Sequence, residues 1–157
     1  MKRLFALVLA AFLLLTGCNS PSATKDFTTA GLTLTLPNVF QDLSGEQYGV
    51  NATFLYGYGD RFVLGVKENK AAIYPHYPDI SLLEFGTVVI QAHKLSCKLT
   101  QKDGFYCFRY TADGISYLAV VLESSDAFWT VQAYCPEEKF PELEDSFWSY
   151  LKTARFA

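Results

Sequence analysis

Apolar and polar residues alternate with a period of two along much of this chain. In residues 32–36, leucines occupy one face of an extended segment and threonines the other, and Pro37 ends the run. Runs at 50–57 and 61–68 flank a connection that contains Gly59, as expected for a hairpin. Further runs separated by short, turn-rich connections predict strands at residues 94–100, 105–110, 115–123 and 127–134. Because consecutive strands with short connections usually pair, these last strands should form an antiparallel meander.

Two segments show the apolar spacing of a helix instead. Ser81 and Glu84 fit a capping box, which predicts a helix that begins there and ends at about Ala92. A second helix is expected from Pro141, because proline suits a first helical turn and an apolar face follows it. The buried stripe expected for the first helix consists of Leu82, Phe85, Val89 and Ala92. The elements together predict an α+β domain, an antiparallel sheet of about six to seven strands with helices packed on it.

The start of the chain has a different pattern. A basic beginning precedes an apolar run over residues 4–15, which is shorter than the roughly 20 residues that a membrane-spanning helix needs. The run ends in Leu15-Thr16-Gly17-Cys18, which resembles the lipobox of bacterial lipoprotein precursors. That resemblance implies cleavage before Cys18 and acylation of this residue, for example with palmitate. The predicted organisation is a signal peptide at 1–17, a lipidated tether at 18–26 and a single domain at 27–157.

The composition indicates an ordered, mildly acidic domain. Aromatic residues make up 16% of the chain, a share that suits packed strands better than disorder. The formal net charge is −3, and lysines and arginines do not cluster along the sequence. Nucleic acids and anionic lipid surfaces both favour such clusters, so neither is expected to be a partner.

Besides Cys18, the chain contains Cys97, Cys107 and Cys135. Export would bring these thiols to a compartment in which disulfides persist. A hairpin connection of four or five residues centred on Lys102 would place Cys97 opposite Cys107, whereas a two-residue loop would shift the register and lose the match. A 97–107 disulfide is the preferred hypothesis, and free thiols are the alternative. No spacing of cysteine and histidine fits a metal site, and no cofactor is expected.

Residues that could support catalysis are sparse. The chain has two histidines, and no segment matches a nucleophile elbow, a zinc-protease motif or a phosphate-binding glycine loop. His93 is expected near the end of a helix, where the helix dipole favours it. Aromatic residues near turns and loops form a candidate binding surface for a sugar or a protein, consisting of Tyr56, Tyr58, Tyr74, His76 and Tyr77. The alternative is that tyrosines beside hairpin turns only cap the ends of the sheet.

Several segments together resemble a known family. They are Gly31 to Pro37 leading into Phe40, Ser81 to Phe85, and Asp126 to Gln132 before the last helix. With the lipobox ahead of them, they look like the small extracytoplasmic lipoproteins of the Mog1/PsbP-like α/β/α fold. The resemblance implies a twisted antiparallel sheet between helices and a role in binding or assembly at a larger machine. In the last segment, Phe128 and Trp129 should point to opposite faces of a strand, one into the core and one under a helix.

The function expected from the sequence is that of a non-catalytic binding or accessory module. Lipid on Cys18 would hold it on the extracytoplasmic side of a bacterial cell membrane. Its expected partners, besides the membrane, are an envelope protein or a glycan. One alternative is a cell-envelope enzyme whose carboxylate, tyrosine or histidine site is hidden by sequence separation. The other is a structural subunit of an assembly.

Overall fold

The computed structural model describes residues 23–45 and 52–156. The predicted signal peptide, Cys18 and most of the predicted tether lie outside the described residues. In chain order the described elements are β1 (Thr24–Thr29), β2 (Leu32–Pro37), β3 (Gln41–Asp42), β4 (Phe54–Tyr58), β5 (Arg61–Asn69), α1 (Lys70–Ile73), α2 (Leu82–Ala92), β6 (Thr100–Lys102), β7 (Phe105–Ala112), β8 (Ile115–Glu123), β9 (Ala127–Pro136), a 3-10 turn (Glu137–Lys139), α3 (Phe140–Leu151) and β10 (Arg155–Phe156).

The strands form a seven-stranded sheet in the order β3-β4-β5-β9-β8-β7-β6 and a three-stranded sheet in the order β1-β2-β10. All the pairings are antiparallel. The last strands of the large sheet follow one another as a meander, as their short connections predicted. The predicted α+β class, an antiparallel sheet with helices packed on it, is confirmed.

One face of the large sheet carries the larger part of the buried core. The three leucines of β2 are at most 1% exposed, so the alternation in residues 32–36 correctly identified the inward face. They pack with Trp129 of β9 and with Phe147 of α3 in one apolar cluster. The small sheet and α3 therefore cover this face together.

The opposite face carries α2. Ser81 accepts a hydrogen bond from the Glu84 backbone N–H, and the Glu84 carboxylate accepts one from the Ser81 backbone N–H, which confirms the capping box. Phe85 stacks on Phe128 with 4.7 Å between ring centroids. Phe128 and Trp129 are both fully buried, one under α2 and the other in the main cluster, as predicted.

The buried side of α2 differs from the predicted stripe. Phe85, Gly86 and Ile90 are the buried positions, whereas Ala92 is exposed. A Cβ on Gly86 would lie 2.9 Å from a methyl group of Leu99. The segment after the helix thus lies against Gly86 and sets which side of α2 faces inward.

The predicted disulfide is not formed. Cys97, Cys107 and Cys135 are free. The β6–β7 hairpin has a two-residue connection, Asp103-Gly104, and places Thr100 rather than Cys97 opposite Cys107. Both connecting residues have positive φ angles, the geometry of a tight hairpin turn. Cys97 packs on the α2 side of the sheet and Cys107 on the α3 side, so the sheet itself separates the two thiols.

Three local predictions also need correction. The strand expected at 94–100 is reduced to β6, which begins only at Thr100. Pro75 and Pro78 predict a loop over residues 71–79, but the start of this segment belongs to the short helix α1. Residues 24–26, assigned to the tether, form the first half of β1. Among the residues described, no helix has the length and apolar character needed to cross a membrane.

Candidate functional site

A cleft of about 860 Å³ opens on the face of the large sheet that carries α2. Its volume lies within the usual range of small-molecule sites, roughly 300–1,000 Å³. The lining residues come from β5, β7, β8, β9, α2 and the segment after α2, and they are Leu64, Val66, Lys67, Glu68, Val89, His93, Leu95, Phe108, Tyr110, Tyr117, Thr130, Gln132 and Tyr134. This cleft is the candidate functional site.

The cleft exists because α2 is too short to cover its face of the sheet. Eleven helical residues span about 16 Å. The nine residues of β8, one of the strands beneath, span about 30 Å. The opposite face of the large sheet is covered by the small sheet together with α3. On the α2 face only the segment between α2 and β6 extends the cover, and the sheet beyond His93 stays open.

A row of aromatic rings crosses the floor of the cleft. Tyr110, Tyr117, Tyr134 and Phe62 are direct cross-strand partners on β7, β8, β9 and β5. Neighbouring ring centroids along this aromatic row are 4.5, 5.1 and 5.2 Å apart. These distances match the spacing of adjacent strands, about 4.8 Å. Tyr110 stacks on Tyr117 and Tyr134 stacks on Phe62, whereas the rings of Tyr117 and Tyr134 are tilted by 32°. Tyr117 thus has a neighbouring ring on each side.

Beside the aromatic row, the floor of the cleft carries the polar side chain of Gln132. The Tyr110 hydroxyl donates a hydrogen bond to Oε1 of Gln132 at 2.6 Å. This bond crosses β8 above Ala119, the residue that pairs with Gln132 and whose side chain is a single methyl group. Burial raises the pKa of Tyr110 strongly, so the phenol stays protonated and remains a donor. Tyr110 thus fixes the orientation of the Gln132 amide.

Thr130 provides the most unusual atom of the floor. Its side chain is 4% exposed, and its hydroxyl has no hydrogen-bond partner among the described residues. The cross-strand partners of Thr130 are Val66 and Val121, which offer no donor or acceptor. A buried hydroxyl without a partner costs stability, which makes such groups rare in folded proteins. The floor of the cleft therefore holds an uncommitted polar group.

Charged groups lie at the rim and not on the floor. Glu68 and His93 are both exposed there. Partial burial raises the pKa of the Glu68 carboxyl, and the nearby His93 imidazole opposes that shift. The Lys67 ammonium binds Asp126 at 2.8 Å and lies over the Trp129 ring on the other side of the sheet. Among the described residues, no three histidine, cysteine or acidic side chains are grouped so that they could hold a metal ion.

The overall architecture matches a solved structure. The solution structure of cyanobacterial PsbP (CyanoP) from Synechocystis sp. PCC 6803 superposes with a TM-score of 0.59 at 12% sequence identity. The match covers 92% of this chain and 99% of that chain. The fold is PsbP-like. No protein-family model matches the chain, and no curated protein matches it either.

The aromatic residues that were predicted to form a binding surface lie in different parts of the PsbP-like fold. Tyr56 is 2% exposed, and its hydroxyl hydrogen-bonds that of Thr29 at 2.6 Å, so it belongs to the core. Tyr58 is 50% exposed at the beginning of the β4–β5 hairpin. Tyr74, His76 and Tyr77 follow the other end of β5, about 30 Å away along a strand of nine residues. These residues do not form one surface.

Sequence reasoning missed the residues of the cleft. The alternation of a strand does place Thr130, Gln132 and Tyr134 on one face of β9. Polar residues at two alternate positions of a mostly buried strand are unusual, and this pattern could have indicated a polar site. Tyr110 and Tyr117 also lie on strands that were correctly predicted. These residues come together in one cleft with those of β5 because β5 pairs with β9, although the two strands are far apart in the sequence.

Proposed function

We propose that this protein is a non-catalytic binding or accessory module, tethered by lipid at Cys18 to the extracytoplasmic side of a bacterial membrane. The PsbP-like fold is compatible with an accessory role. The observation that carries the binding role is the cleft, whose floor holds the unpartnered Thr130 hydroxyl beside an amide that Tyr110 orients. The tether is supported by the lipobox-like sequence, which ends at Cys18.

Binding fits the chemistry of the cleft better than catalysis does. Among its described lining residues, Glu68 is the one carboxylate and His93 the one imidazole, and both stand at the exposed rim. A general acid or base needs a position within hydrogen-bond reach of a reacting group held nearby. The floor offers neutral hydroxyl and amide groups, which can hold a ligand by hydrogen bonds but are poor general acids and bases at neutral pH.

Fractionation of cells that produce the full chain tests the tether. Wild-type protein should sediment with membranes and need detergent for release, because two or more acyl chains anchor a protein stably. Cys18→Ala should lose acylation and this detergent-dependent anchoring. Cys97→Ala is the matched control, since it also removes one thiol but leaves the lipobox intact. Wild-type and Cys18→Ala proteins that behave alike would contradict lipid anchoring.

A ligand-detected measurement tests the binding role. Partners or small molecules that bind the wild-type protein should bind less well to Ala119→Leu, because the larger side chain would lie between Tyr110 and Gln132 and break their hydrogen bond. Leu83→Ala, on the exposed side of α2, is the control. Equal binding by both variants would exclude the cleft as the binding site.

A further inference from the structure

We propose that the cleft binds an uncharged amphiphile, a molecule with an apolar body and a hydroxyl- or amide-rich head, and that the head lies at Thr130 and Gln132. This inference rests on the proposed binding function and specifies its ligand chemistry.

The hydrogen-bonding groups of the floor indicate which kind of ligand head group would bind there. Thr130 Oγ1 can both donate and accept, and it has no partner among the described residues. Gln132 accepts from Tyr110 through Oε1, which leaves its amide NH₂ directed by that contact and able to donate. The pair offers donors and an acceptor side by side on one strand. A hydroxyl or an amide, which also combines donor and acceptor, complements both residues.

The charge distribution selects against ions. Thr130 and Gln132 carry no formal charge, and the Lys67 ammonium is held by Asp126 on the other side of the sheet. A charged head on this floor would lose its water and find no opposite charge there, which is costly. At the rim, the Glu68 carboxylate is exposed to water, which screens its charge from the floor. An uncharged head therefore fits the floor best.

The stacking of the aromatic row excludes two other forms of recognition. Tyr110 and Tyr117 are nearly parallel, with an angle of 3° between their planes, and Tyr134 covers the other face of Tyr117. Stacking of a sugar ring, or cation–π contact with a quaternary ammonium group, needs an open aromatic face. Tyr117 instead presents its edge to the cleft, so recognition rests on hydrogen bonds and not on stacking.

The apolar part of the ligand has its own lining. Alkyl and phenyl side chains from four elements border the cleft beside the polar pair, and they are Leu64, Val66, Val89, Leu95 and Phe108. Burial of an alkyl chain against such side chains contributes favourably for each methylene removed from water. The cleft thus offers an apolar side next to a polar floor, the complement of an amphiphile.

A titration with three probes that share a four-carbon tail tests this inference. The probes are butyl glucoside, pentanoate and butylammonium, which are uncharged, anionic and cationic and too short to disrupt membranes. The lipidated full-length protein is held in phospholipid nanodiscs with labelled threonine methyl groups and glutamine amides. Butyl glucoside should shift the NMR signals of Thr130 and Gln132 and bind at least about fivefold more tightly than either charged probe.

Variants of the protein sharpen the test. Thr130→Val keeps the shape of the side chain and removes the hydroxyl, so it should weaken butyl glucoside binding about fivefold. Thr28→Val is the matched control, since Thr28 is exposed on the small sheet and hydrogen-bonds Thr33 there. It should leave the affinity unchanged.

The outcomes separate the ligand class from the binding function. Tighter binding of a charged probe at Thr130, or equal affinity of wild type and Thr130→Val for butyl glucoside, would overturn the uncharged amphiphile but keep the cleft as a binding site. If no probe moves the signals of Thr130 or Gln132, the cleft fails as a ligand site and the proposed binding function fails with it.

Discussion

Replacing Thr130 with valine should stabilise this domain. The threonine hydroxyl lies on the floor of the cleft, is almost fully buried and has no partner among the described residues. Valine has nearly the same shape and a methyl group in place of the hydroxyl. Because the cross-strand neighbours are Val66 and Val121, the new methyl group would lie among apolar side chains. The substitution removes a desolvated polar atom without leaving a cavity.

The size of the effect follows from the energy of unpaired polar groups. A buried donor or acceptor without a partner costs about 1–3 kcal/mol. Valine also has a strand propensity at least as high as that of threonine. We therefore expect the free energy of unfolding to rise by about 1–2 kcal/mol. For a domain of this size, each kcal/mol raises the melting temperature by roughly 4 °C.

Urea and thermal unfolding of wild-type and variant protein measure this change. Thr53→Val is the matched control, because the Thr53 hydroxyl accepts a hydrogen bond from the Lys67 backbone N–H at 2.8 Å. Valine at position 53 leaves that amide without its acceptor, so this variant should lose stability. The same chemical substitution thus has opposite expected signs at the two positions.

A Thr130→Val variant that is no more stable than wild type would refute the reasoning. That result would mean that the hydroxyl already has a partner, such as an ordered water in the cleft. Comparison with the ligand titration adds a second criterion. A group kept for binding should cost stability when the cleft is empty, so one substitution should raise stability and lower affinity together.

Gly65→Ala should lower the free energy of unfolding by about 1–3 kcal/mol in urea, because an added Cβ would lie 2.1 Å from the Phe54 ring. Glu68→Gln should raise stability at about pH 7, since burial raises the pKa of Glu68 and the folded state disfavours its charge. This gain should vanish below the ordinary carboxyl pKa of 4.5, as unfolding midpoints at both pH values would show. Peptide mapping without reduction should find no link between Cys97 and Cys107, and alkylation of the native protein should modify half-buried Cys97 before buried Cys107.

Each of these expectations has its own control. Gly45→Ala meets nothing within 4 Å and should be nearly neutral, so an equal loss at both glycines would contradict the steric argument. Hydrogen bonds from Ser81 lower the pKa of Glu84, so Glu84→Gln should reduce stability at neutral pH and less in acid. The same sign for both carboxyl variants would contradict the pH reasoning. A peptide linking positions 97 and 107 would show that the β6–β7 register differs from the one described.

Most of the fold could be predicted because its signals are local. Residues 115–123 form a mainly apolar run with turn formers on both sides, and β8 has those same bounds. The capping box at Ser81 needs only residues three positions apart. The error at β6–β7 was also local, since Asp103-Gly104 is a strong signal for a two-residue hairpin loop. Correct use of that signal would have excluded the 97–107 disulfide from the sequence alone.

The cleft could not be predicted in the same way. Its floor combines Tyr110, Tyr117, Gln132 and Thr130 with residues of β5, and the order of strands decides which of them are neighbours. That order places β5 beside β9, although α1, α2 and three strands lie between them in the chain. The length of α2 relative to the strands beneath it gave a usable clue. A helix of about 16 Å cannot cover strands of about 30 Å.

The packing of the floor keeps the cleft open without a ligand. Stacked rings in the aromatic row are held at the spacing of the strands, so they cannot fold over into the open space. Tyr110 passes above Ala119 and fixes Gln132, which therefore cannot turn to satisfy Thr130 through Oε1 while it accepts from the phenol. The same hydrogen bond that orients the amide thus helps to leave the threonine hydroxyl uncommitted. A site of this kind is preorganised, and a ligand that supplies the missing partner gains affinity because the domain has already borne the cost of holding the site open.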